Sequence, residues 1–171
     1  MQDKGLRIIS GVLRFANGAN WLAAIGFAAA VALSFVFGDV IAGHLSTKYP
    51  NSNIVGIIVI LRIMAVLGII AAVAVHQIFT RLLAMVSTVR TGDPFVALNA
   101  DRLTRIGWAL LTLQLLDLAM GLIILALDRM GADHATWTPA FTGWIAVIMV
   151  FALARVFRVG TAMRDDLALT V

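Results

Sequence analysis

Glutamate and cysteine are both missing from this 171-residue chain, so all nine acids are aspartates. Without cysteine there is no disulfide, no thiolate metal site and no cysteine nucleophile. Charge of either sign is scarce: 13% of the residues are charged, against about 25% in an ordinary soluble domain. There is no Gly-rich phosphate loop, no His-Glu-x-x-His zinc motif and no Gly-x-Ser-x-Gly elbow. His44 and His134, with Asp39, Asp128 and Asp133, have no metal-ligand spacing. The scattered Lys and Arg lack the aromatic interleaving of a nucleic-acid surface. Neither internal repeats nor low-complexity segments occur. The expectation is a non-enzyme with no catalytic residues, no cofactor, no metal and no direct contact with nucleic acid.

Hydrophobic residues make up 61% of the chain. That leaves too little polar surface to cover a soluble globule, so membrane lipid is part of the solvent. Four apolar runs are long enough to cross a bilayer, which needs about 20 helical residues each. They lie at about 19–37, 54–79, 106–127 and 140–157. Backbone groups facing lipid must be satisfied internally, which makes each span a helix. The fold class expected is an all-α membrane protein, a four-transmembrane-helix bundle with cytoplasmic N- and C-termini, forming a single domain over 1–171.

Between the runs, Gly38 to Asn53 reads as a polar loop, and Asp128 to Pro139 as a short one with Trp137 suited to the interface. Met1 to Gly18 places Lys4, Arg7, Gly11 and Arg14 on one helical face and Leu6, Ile9 and Leu13 on another. That is the pattern of a helix lying in the headgroup plane, or of a plain cytoplasmic lead-in. A cleaved signal peptide is not expected, because the run Trp21 to Phe37 exceeds a usual h-region and no small-x-small site follows. Leu82, Leu83, Val86 and Val89 continue an apolar stripe beyond the second span, which predicts a helix protruding into the cytoplasm.

Orientation follows from the basic residues. The N-terminus (Lys4, Arg7, Arg14), the central loop (Arg81, Arg90, Arg102, Arg105) and the C-terminal end (Arg155, Arg158, Arg164) hold ten, against Lys48 and Arg129 in the other two loops. The positive-inside rule puts both termini in the cytoplasm, which for a bacterial chain means a multi-pass inner-membrane protein.

Two polar features stand out. Asp117 lies eleven residues into its span, ~17 Å of rise and so near mid-membrane. An ionisable group there is costly unless paired. Gln114 shares its face, and Arg62, on an antiparallel neighbour, is the partner expected. A buried Arg62–Asp117 pair, a protonated Asp117 bonded to Gln114, a proton path and a sensing pocket are the readings of this cluster. His76, near the end of the second span, reads as an interface hydrogen-bonder or a pH sensor. At the cytoplasmic end, Asp93-Pro94 and Asn99 are candidate helix starts. Phe95, Arg102, Met163, Arg164, Asp166, Leu167 and Val171 complete the set that either caps the helices or docks a partner.

The run Gly92-Asp93-Pro94-Phe95, Asn99, Arg102-Leu103-x-x-Ile106-Gly107-Trp108 resembles the central signature of the bacterial membrane proteins called domain of unknown function 2975. The ending Val156-Phe157-x-x-Gly160-x-x-Met163-Arg164-x-Asp166-x-x-Leu169-Thr170-Val171 is similar to their C-terminal signature, and the resemblance extends over essentially the whole chain. Leu98 and Ala168 stand where that family often has acids. The resemblance implies four spans and no catalytic residues. It also implies a membrane partner for a small helix-turn-helix transcription regulator, since members are frequently encoded beside one. The expected function is thus a membrane regulator or sensor that holds a cytoplasmic transcription regulator. The alternatives are a small transporter or proton-coupled channel using Asp117, Gln114 and Arg62, and a structural subunit of a membrane complex. Homo-oligomerisation stays open.

Overall fold

A computed structural model describes residues 2–90, 96–131 and 136–168, with side chains over 4–90, 96–131 and 136–164. Its helices are α1 (Gln2–Val36), α2 (Gly38–Lys48), α3 (Ile54–Arg90), α4 (Ala97–Arg129) and α5 (Phe141–Ala168). Among the described residues, all but α2 are long and apolar enough to cross a membrane. At 1.5 Å per residue, the 37 residues of α3 reach ~55 Å, while a hydrocarbon core is ~30 Å thick. The helix continues past the apolar run 54–79 through Leu82, Leu83, Val86 and Val89 to Arg90, an overhang beyond that run.

Three boundaries differ from expectation. Residues 2–18 do not turn into a separate in-plane helix; α1 is continuous from Gln2 to Val36. No proline interrupts it, and Asn17, Asn20 and Trp21 bind α3 across the place where an in-plane helix would have to bend away, which leaves the plain lead-in of the two readings. The segment after Phe37 is helical rather than a loop. Phe37 breaks the path at φ −107°, ψ 26°, and α2 then starts with Asp39 in its first turn and ends with Lys48 in its last, both matched to the helix dipole. The third span is part of a helix that begins at Ala97, with Val96 as an extended N-cap residue. Asn99 is therefore inside the first turn and is not the cap. At its other end α4 closes on Gly131, φ 67°, the left-handed position after a helix that glycine occupies without strain.

The spans alternate in direction, and each packs on the next: α1 on α3, α3 on α4, α4 on α5. Among the described residues α1 meets neither α4 nor α5, and α3 does not meet α5. The expected bundle is thus an open row. Its solvent-accessible surface is 11213 Å², where a compact soluble chain of this mass has ~8,100 Å². Large apolar side chains such as Leu22, Ile25, Leu122 and Ile148 point outward, as lipid-facing residues do. The row is held by glycines that admit aromatic rings. A Cβ on Gly68 of α3 would come within 2.8 Å of the Phe27 ring of α1, and one on Gly107 of α4 within 2.9 Å of the Phe151 ring of α5. Close approach through small residues is how helices associate where lipid removes the hydrophobic drive. At the end opposite the overhang, Leu45 and Tyr49 of the α2 region fold onto buried Ile57 and Leu127.

Candidate functional site

The intramembrane residues read as one cluster serve three separate contacts. Arg62 turns toward α1. Its Nε donates to Ser34 Oγ at 3.0 Å, its Nη2 to the Ser34 carbonyl at 2.7 Å, and its guanidinium lies 3.9 Å from the centre of the Phe35 ring. Ser34 is in the last turn of α1, whose carbonyls lack helical partners and carry partial negative charge. Arg62 is therefore a cap on α1. No ion pair joins it to Asp117. The register explains why. Ile57 packs with Leu127, and Gly68 lines a cavity with Asp117, so Arg62 stands level with the region of Ile123. That is some six residues, or ~9 Å, from Asp117.

Asp117 and Gln114 do share a face of α4, and both reach the start of α5. Trp137 Nε1 donates to Asp117 Oδ1 at 3.2 Å, and Gln114 Nε2 donates to the Ala140 carbonyl at 3.2 Å. Gln114 also fills the space that a Cβ on Gly143 would need. The indole of Trp137 lies against Gly121, 2.7 Å from where a Cβ would sit. Asp117 additionally lines a cavity of about 230 Å³ between α3 and α4, with Leu67, Gly68, Ala71, Leu113, Leu116 and Met120. The half-buried carboxylate thus fixes the entry of α5. The sequence reading missed Trp137 as its partner, because an interfacial indole gives no sign of how deep it folds.

His76 is an interface hydrogen-bonder between α3 and α1. Its Nδ1 lies 3.1 Å from Trp21 Nε1 and 2.9 Å from Asn17 Oδ1, with the Trp21 ring set edge-on. One nitrogen cannot accept from the indole and donate to the amide oxygen at once, so the two contacts are alternatives set by the ring's tautomer. Asn20 Nδ2 donates to the Ala72 carbonyl at 2.9 Å. Asn17, Asn20 and Trp21 at i, i+3 and i+4 occupy one helical face, a signal that was present in the sequence and was overlooked.

At the overhang a polar knot ties α3 to α4. Asn99 is 1% exposed. Its Nδ2 donates to Thr88 Oγ1 at 2.8 Å, and Arg102 Nη1 donates to Asn99 Oδ1 at 2.8 Å and to the Ala84 carbonyl at 3.1 Å. Two of the expected docking residues, Asn99 and Arg102, therefore face inward and hold the hairpin. Outward lie Leu98, Asp101, Arg105, Met163 and Arg164. Asp101 and Arg158 pair at 3.4 Å across α4 and α5, well exposed, a geometry that contributes little stability. Asp93, Pro94, Phe95 and Val171, and the side chains of Asp166 and Leu167, lie outside the described residues.

A family model described as "Protein of unknown function (DUF2975)" matches residues 40–171. The match covers α2 to the C-terminus and leaves out α1, where the sequence reading extended the resemblance over the whole chain. No curated protein and no solved structure matches.

Proposed function

The chain belongs to the family of unknown function DUF2975, and on that premise we propose that it is a non-enzymatic regulator in a bacterial inner membrane. Both termini are cytoplasmic, and the overhanging helix ends hold a cytoplasmic partner such as a small helix-turn-helix transcription regulator. The observation that carries this reading is the overhang. At 37 and 33 residues, α3 and α4 are each longer than a hydrocarbon core is thick, and Asn99 ties the last turns of α3 to the first turn of α4. Rigid presentation lowers the ordering cost of binding. Exposed at that end are Leu98, Asp101 and Arg105 of α4 and Met163 of α5, apolar and charged side chains of the kinds that protein interfaces combine. The transport alternative draws less support, since Arg62 is occupied in joining α3 to α1, and Gln114 and Asp117 in joining α4 to the segment that leads into α5.

The test is co-purification from native membranes, comparing wild type with Leu98→Asp and Met163→Asp. A small DNA-binding regulator should accompany wild type and be lost from both variants while membrane insertion is unchanged. Recovery of the regulator with both variants, or of none with wild type, would contradict the proposal.

A further inference from the structure

Arg81 of α3 is accounted for neither by the helix contacts above nor by the partner surface. It is half-buried, and its Nε is enclosed without a hydrogen-bond acceptor. No hydrogen bond or ion pair joins it to any described residue. An enclosed donor without an acceptor is costly, and a charge more so. The two Nη groups are not enclosed with Nε, so the guanidinium meets the surface of the protein through them.

The surroundings of Arg81 are positive. Arg102 reaches the Ala84 carbonyl and Asn99 reaches Thr88, an antiparallel register of α3 and α4 that sets Arg81 level with Arg105. Arg102 and Arg105 lie on adjacent turns of α4, half-buried and exposed respectively. Arg102 is bonded to uncharged groups, the Asn99 amide and the Ala84 carbonyl. The ion pair at this end, Arg158 with Asp101, joins α4 to α5. Among the described residues no carboxylate pairs with Arg81, Arg102 or Arg105. Depth identifies the anion that suits them. Arg81 follows the apolar run that ends at Phe79, and Arg105 immediately precedes the one that begins at Ile106. Both stand where the hydrocarbon ends, the level of lipid phosphates. We infer that this end of the α3–α4 cleft binds the headgroup phosphate of an anionic phospholipid, of the phosphatidylglycerol type. The Nη groups of Arg81 donate to the phosphate oxygens, and Arg105 adds positive charge from α4. Basic pockets between spanning helices recognise anionic headgroups in this way. A zwitterionic lipid brings its own cation to the same place and is disfavoured. Free phosphate shares the chemistry but lacks the acyl chains that hold a lipid at this depth. The site uses neither Leu98 nor Met163 and is independent of any cytoplasmic partner.

Native mass spectrometry of the protein, released from nanodiscs of equal phosphatidylglycerol and phosphatidylethanolamine, tests it. Wild type should retain phosphatidylglycerol in preference to phosphatidylethanolamine by about fivefold or more. Arg81→Gln should bring that ratio to the one found for loosely held lipids, and Arg81→Lys should keep most of it. Arg129→Gln makes the same change of net charge at the other end of α4 and should leave the preference as it is. Millimolar inorganic phosphate should not displace the lipid. Circular dichroism confirms that each variant keeps its helices. Equal retention of both lipids by wild type, an unchanged preference in Arg81→Gln, or an equal loss in Arg129→Gln would overturn the assignment. Displacement by inorganic phosphate would show a site for a soluble anion and overturn the lipid as its occupant. If Arg81→Gln fails to insert, Arg105→Gln decides, with a weakened preference expected and an unchanged one contradicting the site.

Discussion

Removing the Asp117 carboxylate leaves the Trp137 indole N–H without its acceptor. Asp117→Ala should cost ~1–3 kcal/mol, the penalty for an orphaned polar group, and less than the ~3–5 kcal/mol for breaking a buried ion pair. Detergent unfolding of a double-mutant cycle separates the two. Asp117 with Trp137→Phe should show coupling of ~0.5 kcal/mol or more, and Asp117 with Arg62→Met should be additive. Arg62→Met should by itself loosen the end of α1, because the Ser34 carbonyl loses its donor. Asn99→Ala removes one partner each from Thr88 and Arg102 inside a buried knot. A loss of ~1–3 kcal/mol is expected, read as faster amide exchange at residues 84–90 and 97–102 with the spans unaffected. Of this residue-level detail the sequence disclosed the unusual groups, Asp117, Gln114, Arg62, His76 and Asn99, but not their partners. Side-chain direction around a helix depends on which neighbour it packs against, and four spans allow several arrangements with the same apolar pattern.

Helix contacts in the row depend on glycines facing rings. Gly107→Leu would push the Phe151 ring out of its place and should destabilise the α4–α5 pair by ~1–3 kcal/mol. Gly5→Leu, with open space where its Cβ would go, should be nearly neutral; unfolding midpoints in detergent compare the two. The spans were legible because apolar runs of that length have few alternatives in lipid. The continuation of α3 to Arg90 was legible too, since its apolar stripe runs on past residue 79 to Val89. The helix α2 was not. Gly38, Gly43, Ser46 and Thr47 read as loop residues, and its packing on the Ile57 and Leu127 region overrides that weak local preference. The in-plane reading of residues 2–18 failed for a related reason. Amphipathicity fits a bilayer surface and a neighbouring helix equally well, and Asn17, Asn20 and Trp21 select the neighbour.

At the scale of the molecule, threading and arrangement are separate questions. Reporter fusions after Val89 and Val171 should read cytoplasmic, and fusions after Lys48 and Ala135 external, as the ten-to-two distribution of Lys and Arg requires. An external C-terminus would reverse the charge argument and move the proposed partner surface to the wrong side. Threading leaves the arrangement open, because a closed bundle and an open row cross the membrane alike. Sequence patterning does not distinguish them either: in lipid both faces of a row stay apolar. The absence of cysteine makes the distinction measurable, since spin labels can be placed at chosen positions without background. Leu22 of α1 and Ile145 of α5 are both exposed and lie at the same depth by the pairing of successive helices. Three steps of ~8–10 Å between axes put α1 and α5 roughly 25–30 Å apart in a straight row. Pulsed electron-spin distances between labels at Leu22→Cys and Ile145→Cys, in nanodiscs holding one chain each, should centre near that value. A distribution centred near ~10 Å, the spacing of adjacent helices, would show a closed bundle and contradict the row.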